Sequence, residues 1–295
     1  MPAILLVGPG AIGGLIAWHL QHFAITTVYP HRDDLRLPLA VVSGTGTHPL
    51  DWTQVERLDN IDAVVISCKA TQVERAAQPL LATLAHCPWL VLCNGMGPQA
   101  WLSEQLPGNV LWASTTEGAG RCGAEIRHRG HGETRLGSPL NYPVNASTEQ
   151  WGRWLVSQTG PLTLRWETDM TTVLWRKLAI NAIINPITAV HRCLNGALTE
   201  PRWQADIAQL SDDILRIARA SQISLPDDLA AAVLGMADAT RHNRSSMLTD
   251  IEAGRHTEID TIIGPLLIEA DRHGLSVPSL QYWYQAVIRL HPIIR

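Results

Sequence analysis

The chain opens on an apolar run, AILLV at 3–7, stopped by Gly8-Pro9-Gly10. Apolar residues at successive positions, closed by glycine and proline, predict a strand buried on both faces of a parallel sheet. A strand-like stretch follows at 25–30, and apolar runs return at 62–68, 89–93 and 110–115. LIAWHLQHF, between the first two, reads as a helix. EIRHRGHGETRLG (125–137) predicts a hairpin turning around Gly130–Gly132, with RHRGH as polar strand and turn. Beyond about residue 166 the period becomes helical, first in TDMTTVLWRKLAINAIINPITAV and then in DIAQLSDDILRIARASQI (206–223). Pro186 is expected to kink or interrupt the first of these helices. Gly264-Pro265 is expected to break a later one. The expectation is an α/β domain over 1–166 and an all-helical domain over 167–295, with no repeat and no flexible tether between them.

Composition narrows the class. The 295 residues are 46% hydrophobic, which gives room for one large domain or two modest ones. Net charge is −4 without a Lys/Arg run, so the chain lacks the footprint of a nucleic-acid or polybasic membrane binder. No apolar run reaches the roughly 18 residues of a membrane span, and the start reads as a strand, not a signal peptide. The five cysteines form no CxxC pair and sit mostly among apolar residues, which points to a reducing cytoplasm. His128 and His131 stand close together in RHRGHGE with no second pair nearby, and read as a solvated hairpin; no metal is expected.

The basic residues are 21 Arg and two Lys, Lys69 and Lys177. Arg is planar and keeps its proton, whereas Lys is compact and can release one. Lysine kept at two places only therefore marks candidate chemistry. Lys177 falls in register with Asn181 and Asn185 at i, i+4 and i+8, a polar row on an apolar helix. Such a row either faces bulk solvent or lines a wet cleft. Asn195-Gly196 follows that helix. Ser245 and Ser246 are candidate helix caps, and Glu258 and Asp260 candidate solvated helix charges.

Gly8-x-Gly10-x-x-Gly13 lies between a strand and a helix, the setting a dinucleotide fingerprint requires. The first glycine allows a tight turn, the second a close approach to pyrophosphate, the third close helix–strand packing. After the second strand, Arg32 suits a 2′-phosphate and favours NADP over NAD; the competing reading leaves Arg32 solvated and gives a ribose to Asp33. Lys69 and Asn94 each follow a strand, on the edge where α/β sheets hold ligands. Lys69 suits ribose, phosphate or nicotinamide, and the Asn94 amide suits a carboxamide or a keto acid. Thr116-Glu117-Gly118-Ala119-Gly120 makes a small-residue loop able to pass close to a nicotinamide.

Taken together, GPGAIGG, CNGMG, LWRKLAINAIINPITAV and SSMLTDIEAGRHTEID resemble the ketopantoate reductases over about residues 3–280. The resemblance implies an N-terminal Rossmann domain, a helical C-terminal domain and an active site in the cleft joining them. It implies NADPH-dependent reduction of 2-dehydropantoate to pantoate, on the route to pantothenate and coenzyme A. Lys177 matches the family's catalytic lysine. Asn94, Asn181, Asn185, Asn195, Ser246 and Glu258 match its substrate contacts. Gly8, Pro9, Gly10, Ala11, Ile12, Gly13, Arg32, Lys69, Asn94, Ala119 and Glu258 match its NADP contacts. The expected partners are a small 2-keto acid and a second copy of the chain. Glu117 and Pro265 depart from the family pattern, and a carboxylate at 117 would bear on substrate preference. Two rival readings are a reductase of another branched 2-keto acid and a non-catalytic NADP-binding sensor.

Overall fold

The computed structural model describes residues 1–29 and 37–291. The chain forms two compact units, Met1–Thr171 and Thr172–Arg295.

In the first unit the strands are β1 (Ala3–Val7), β2 (Ile25–Tyr29), β3 (Ala40–Ser43), β4 (Gly46–Pro49), β5 (Trp52–Gln54), β6 (Ala63–Ile66), β7 (Trp89–Leu92), β8 (Val110–Thr115), β9 (Gly118–Cys122), β10 (Glu125–Gly130), β11 (Thr134–Gly137) and β12 (Leu164–Glu167). The helices are α1 (Ala11–Leu20), α2 (Val73–Ala77), α3 (Leu81–Leu84), α4 (Pro98–Gln105) and α5 (Ala146–Ser157). Eight strands make one sheet in the order β12-β11-β8-β7-β6-β1-β2-β5. It is parallel from β5 through β8, and β11 turns antiparallel to β8. Leu5 stands opposite Thr27 on one side and Val64 on the other, so β1 is central and the chain winds away from it both ways. Residues Ile4–Val7 and Ala63–Ile66 are fully buried, as their unbroken apolar runs predict.

A second sheet, β4-β3-β10-β9, covers α1 from the other side. A side chain at Gly14 would collide with Ile126, so helix and second sheet meet at a glycine. This sheet corrects the hairpin expected over 125–137. Strand β10 pairs with β9 and β3, whereas β11 pairs with β8 and β12. Ile126 and Leu136 both need burial, but the first finds it under α1 and the second in the main sheet. The chain crosses between sheets at 131–133, where Thr116 N donates to Glu133 O at 2.9 Å. A Cβ at Gly132 would stand 2.6 Å from the Thr116 carbonyl carbon. The true hairpin is β9–β10, with Arg121 opposite Ile126.

The second unit takes up α6 (Met170–His191), which starts just before it, then α7 (Gln204–Ala220), α8 (Leu229–Ala239), α9 (Ser246–Glu252), α10 (Ile259–Ile262), α11 (Gly264–Arg272) and α12 (Pro278–Ile288). Its core gathers Leu178, Ile183, Ile187, Ile214, Leu266 and Leu280. Buried Asp213 on α7 accepts from Ser279 N at 3.0 Å and Leu280 N at 3.2 Å, capping the start of α12 with a negative charge. The helix runs on through Pro186, so of the expected kink or interruption the interruption does not occur. Residues 182–189 are all buried, and packing outweighs the one main-chain bond that proline removes. Gly264-Pro265 does separate α10 from α11. Among the described residues, no helix is long and apolar enough to cross a membrane.

Candidate active site

Strands β1, β6, β7 and β8 are neighbours and parallel, so the segments after them line one edge of the sheet in order. After β1 comes the glycine turn. Gly8 has φ +97°, and a Cβ there would meet Cys68 N at 2.6 Å, so turn and packing both require glycine. A Cβ at Gly13 would strike Gly8 O and stand 2.6 Å from Ser67 Oγ. Gly10 differs. It is exposed, its φ is an ordinary −79°, and a Cβ would meet nothing within 4 Å. Neither strain nor packing asks for glycine at this position, directly before α1. The open space over a helix N-terminus fits a pyrophosphate approaching the main chain.

Exposed Lys69 follows β6 and half-buried Asn94 follows β7. Asn94 enters a tight loop with Gly95 at φ +78° and Gly97 at φ +117°, braced by Gln99 Nε2 donating to Gly95 O at 3.0 Å. Thr116–Ala119 follows β8. Arg32, on which the choice of NADP rests, lies outside the described residues. Glu117, expected to bear on substrate preference, has two partners within the fold. Its Oε2 sits 2.7 Å from His128 Nε2 and accepts from Gly132 N at 3.1 Å. The two side chains are 4% and 1% exposed. His128 therefore corrects the solvated hairpin. It shares the inward face of β10 with Ile126, two residues away, and that alternation was readable in the sequence.

In the second unit, the row on α6 sinks progressively: Lys177 and Asn181 are half-buried and Asn185 is 5% exposed. Bulk solvent is excluded for its inner end. The two serines divide their roles. Ser245 caps α9, accepting from Leu248 N at 3.1 Å, and receives the Thr188 hydroxyl from α6 at 2.7 Å. Ser246 stays exposed at the first turn. Asn195 is buried; its Nδ2 donates to Thr240 Oγ1 at 3.0 Å, while its Oδ1 is buried without a hydrogen-bond partner. Its main-chain N donates to Asn243 O at 3.0 Å, so the 241–246 loop is tied to the Asn195 turn. Thr188, Thr240 and Asn243 had no local signal, because each works through a partner distant in sequence. Glu258 is 8% exposed and opens α10, which sets aside a solvated helix charge; Asp260 is exposed and accepts from Tyr284 Oη at 2.6 Å.

A parallel sheet wound both ways from a glycine turn, in one chain with a helical unit, defines the Rossmann class of dinucleotide-binding proteins with an appended helical domain. Residues 4–141 match the family pattern "Ketopantoate reductase PanE/ApbA", and residues 169–291 its C-terminal pattern. The 2-dehydropantoate 2-reductase of Vibrio cholerae is 34% identical over 290 residues, 96% of either chain. The chain belongs to the ketopantoate reductase family. The crystal structure of a probable 2-dehydropantoate 2-reductase from Bacillus subtilis superposes with a TM-score of 0.82 at 26% identity, covering 98% of this chain and all of that one. A ternary structure of D-mandelate dehydrogenase with NADH and anilino(oxo)acetate superposes at 0.85 and 19% identity, covering 98% of each, which shows the shared fold.

Proposed function

We propose that the chain catalyses NADPH-dependent reduction of 2-dehydropantoate to pantoate, a step toward pantothenate and coenzyme A. The observation that carries this reading is the row Lys177–Asn181–Asn185, a polar stripe that runs into the stretch 182–189, which is buried at every position. An amine and two amides at graded depth suit an anionic, carbonyl-bearing small molecule better than they suit packing.

NADPH, when bound, supplies the hydride. Gly8–Gly13 and the start of α1 receive its pyrophosphate, with Lys69, Asn94 and Ala119 further along the same edge; Arg32 receives the 2′-phosphate. Hydride arrival at C2 puts negative charge on the carbonyl oxygen. The Lys177 ammonium stabilises that charge and hands over a proton, giving the alcohol. Arginine would stabilise the charge but keep its proton. Asn181 and Asn185 orient carbonyl and carboxylate without adding charge. Ser246 donates its hydroxyl to the carboxylate. Glu258, buried, accepts from the substrate hydroxyl that simpler 2-keto acids lack.

The test is the fall of 340 nm absorbance with purified protein, comparing NADPH with NADH and ketopantoate with 2-ketoisovalerate. Ketopantoate with NADPH is expected to give the highest kcat/KM. Glu258→Gln is expected to lower the ketopantoate value by roughly 10–100-fold and the 2-ketoisovalerate value far less, because only the first substrate offers a hydroxyl. Equal losses for both would remove Glu258 from substrate selection. The reading includes a cytoplasmic homodimer, for which sedimentation equilibrium at micromolar protein is the check on assembly.

A further inference from the structure

We propose that Glu117, His128 and His131 form a binding site for a divalent transition-metal ion of the Zn²⁺, Co²⁺ or Ni²⁺ kind. One ligand atom from each residue lies within 4.8 Å of the other two. Among the described residues no other His/Cys/Asp/Glu group of three or more comes together this way.

The backbone brings the ligands together for a specific reason. Residues three apart in a regular strand point to opposite faces. The pairing of β10 with β9 shifts register between His128 and Gly130, and the strand ends at Gly130. This irregularity returns His131 to the His128 side, with ring centroids 4.3 Å apart. Glu117 arrives from the loop after β8, and Gly132 N holds its carboxylate at 3.1 Å, an outer-shell donor orienting a ligand oxygen. Two members are buried, which makes the site rigid, while His131 is exposed and supplies the entry path.

A second observation points to a missing group. His128 Nε2 is satisfied by Glu117, but Nδ1 of the same ring is buried with no hydrogen-bond partner. Buried polar atoms are paired in the great majority of cases, and an absent ion is one standard account of an exception. A cation on Nε2 would take the Glu117 carboxylate and His131 as its other ligands and displace any proton between Nε2 and Glu117 to solvent, leaving Nδ1 to carry the remaining ring proton toward a water. Two imidazoles and one carboxylate select borderline transition metals over Mg²⁺ and Ca²⁺, which prefer oxygen throughout. Three protein ligands leave a fourth position to water. The bound ion would fasten the loop after β8 to the end of β10.

The experiment is a CoCl₂ titration of full-length protein, stripped with chelator and desalted, read by visible absorption and competed with ZnCl₂ and MgCl₂. The expected result is one saturable equivalent per chain, displaced by Zn²⁺ and not by Mg²⁺. His131→Ala removes an exposed ligand, so its melting temperature without metal should stay unchanged, while Co²⁺ affinity falls at least about tenfold. Glu117→Gln, which keeps the shape of the acid, should weaken binding similarly. His256 and His291, whose Nδ1 atoms lie 3.3 Å apart, are the nearest rival pair, and His256→Ala should bind as the parent does. No saturable band, a band that survives His131→Ala, or a band lost in His256→Ala would each overturn the proposal.

Discussion

At Lys177 the chemistry and the surroundings can be separated by two substitutions. Lys177→Ala removes charge and proton, and kcat is expected to fall by roughly 10²–10⁴-fold or more. Lys177→Arg keeps the charge alone. If the amine acts as the acid, the arginine variant should bind substrate with nearly parental KM yet stay slow in kcat. Steady-state kinetics with saturating NADPH decide this; near-normal turnover in the alanine variant would take Lys177 out of the mechanism. Such a residue is readable in sequence because lysine is rare in this chain and because the i, i+4, i+8 register needs no knowledge of tertiary structure. Asn195 is readable only as an Asn-Gly turn. What its amide touches depends on Thr240 and Asn243, more than 40 residues away, and no local pattern carries that.

The glycine turn and the start of α9 each hold a pair of similar residues with opposed duties. Gly13→Ala meets the Gly8 carbonyl and Ser67, and is expected to lose about 1–3 kcal/mol of stability. Gly10→Ala meets no protein atom, so stability should hold within about 1 kcal/mol while NADPH affinity drops at least about tenfold. Urea unfolding and fluorescence titration of NADPH read the two effects separately. Likewise Ser245→Ala should cost about 1–2 kcal/mol, since the cap of α9 and the Thr188 contact are lost together. Ser246→Ala should leave unfolding unchanged and raise the KM for the keto acid. Strand β8 is readable to the residue because VLWAST is buried at every position, opens on an apolar run and closes on two small β-compatible polar residues before the turn. Strand β5 is not: Trp52–Gln54 is three residues long, lies at the sheet edge and is mostly exposed, so no period can form. The expected 125–137 hairpin failed for another reason. Turn residues mark where a chain bends, but not which sheet receives the strand beyond the bend.

In the N-terminal unit as a whole, acid is expected to act through His19 on α1. Burial first, and neighbouring His22 second, lower its pKa to about 4. Its Nδ1 accepts from Leu162 N at 3.3 Å, which joins α1 to the segment entering β12. The folded protein thus keeps His19 neutral while the unfolded chain protonates near pH 6.5. Stability is full above that pH, declines as pH falls from about 6.5 to about 4, and is flat below, an effect on the order of 3 kcal/mol. The urea midpoint of this unit should fall between pH 7 and pH 4.5, and His19→Gln, uncharged with an acceptor retained, should flatten that fall.

The parallel pairing of β3 with β10 joins residues 40–42 to 125–127. Everything from β4 through β9 must be threaded before those two strands can meet, and a contact so distant along the chain forms slowly. Yet Ile126 of β10 is the residue that packs against Gly14, four positions after the open turn glycine. The glycine turn proposed to receive the phosphates therefore has no back wall until that long-range pairing has closed behind it.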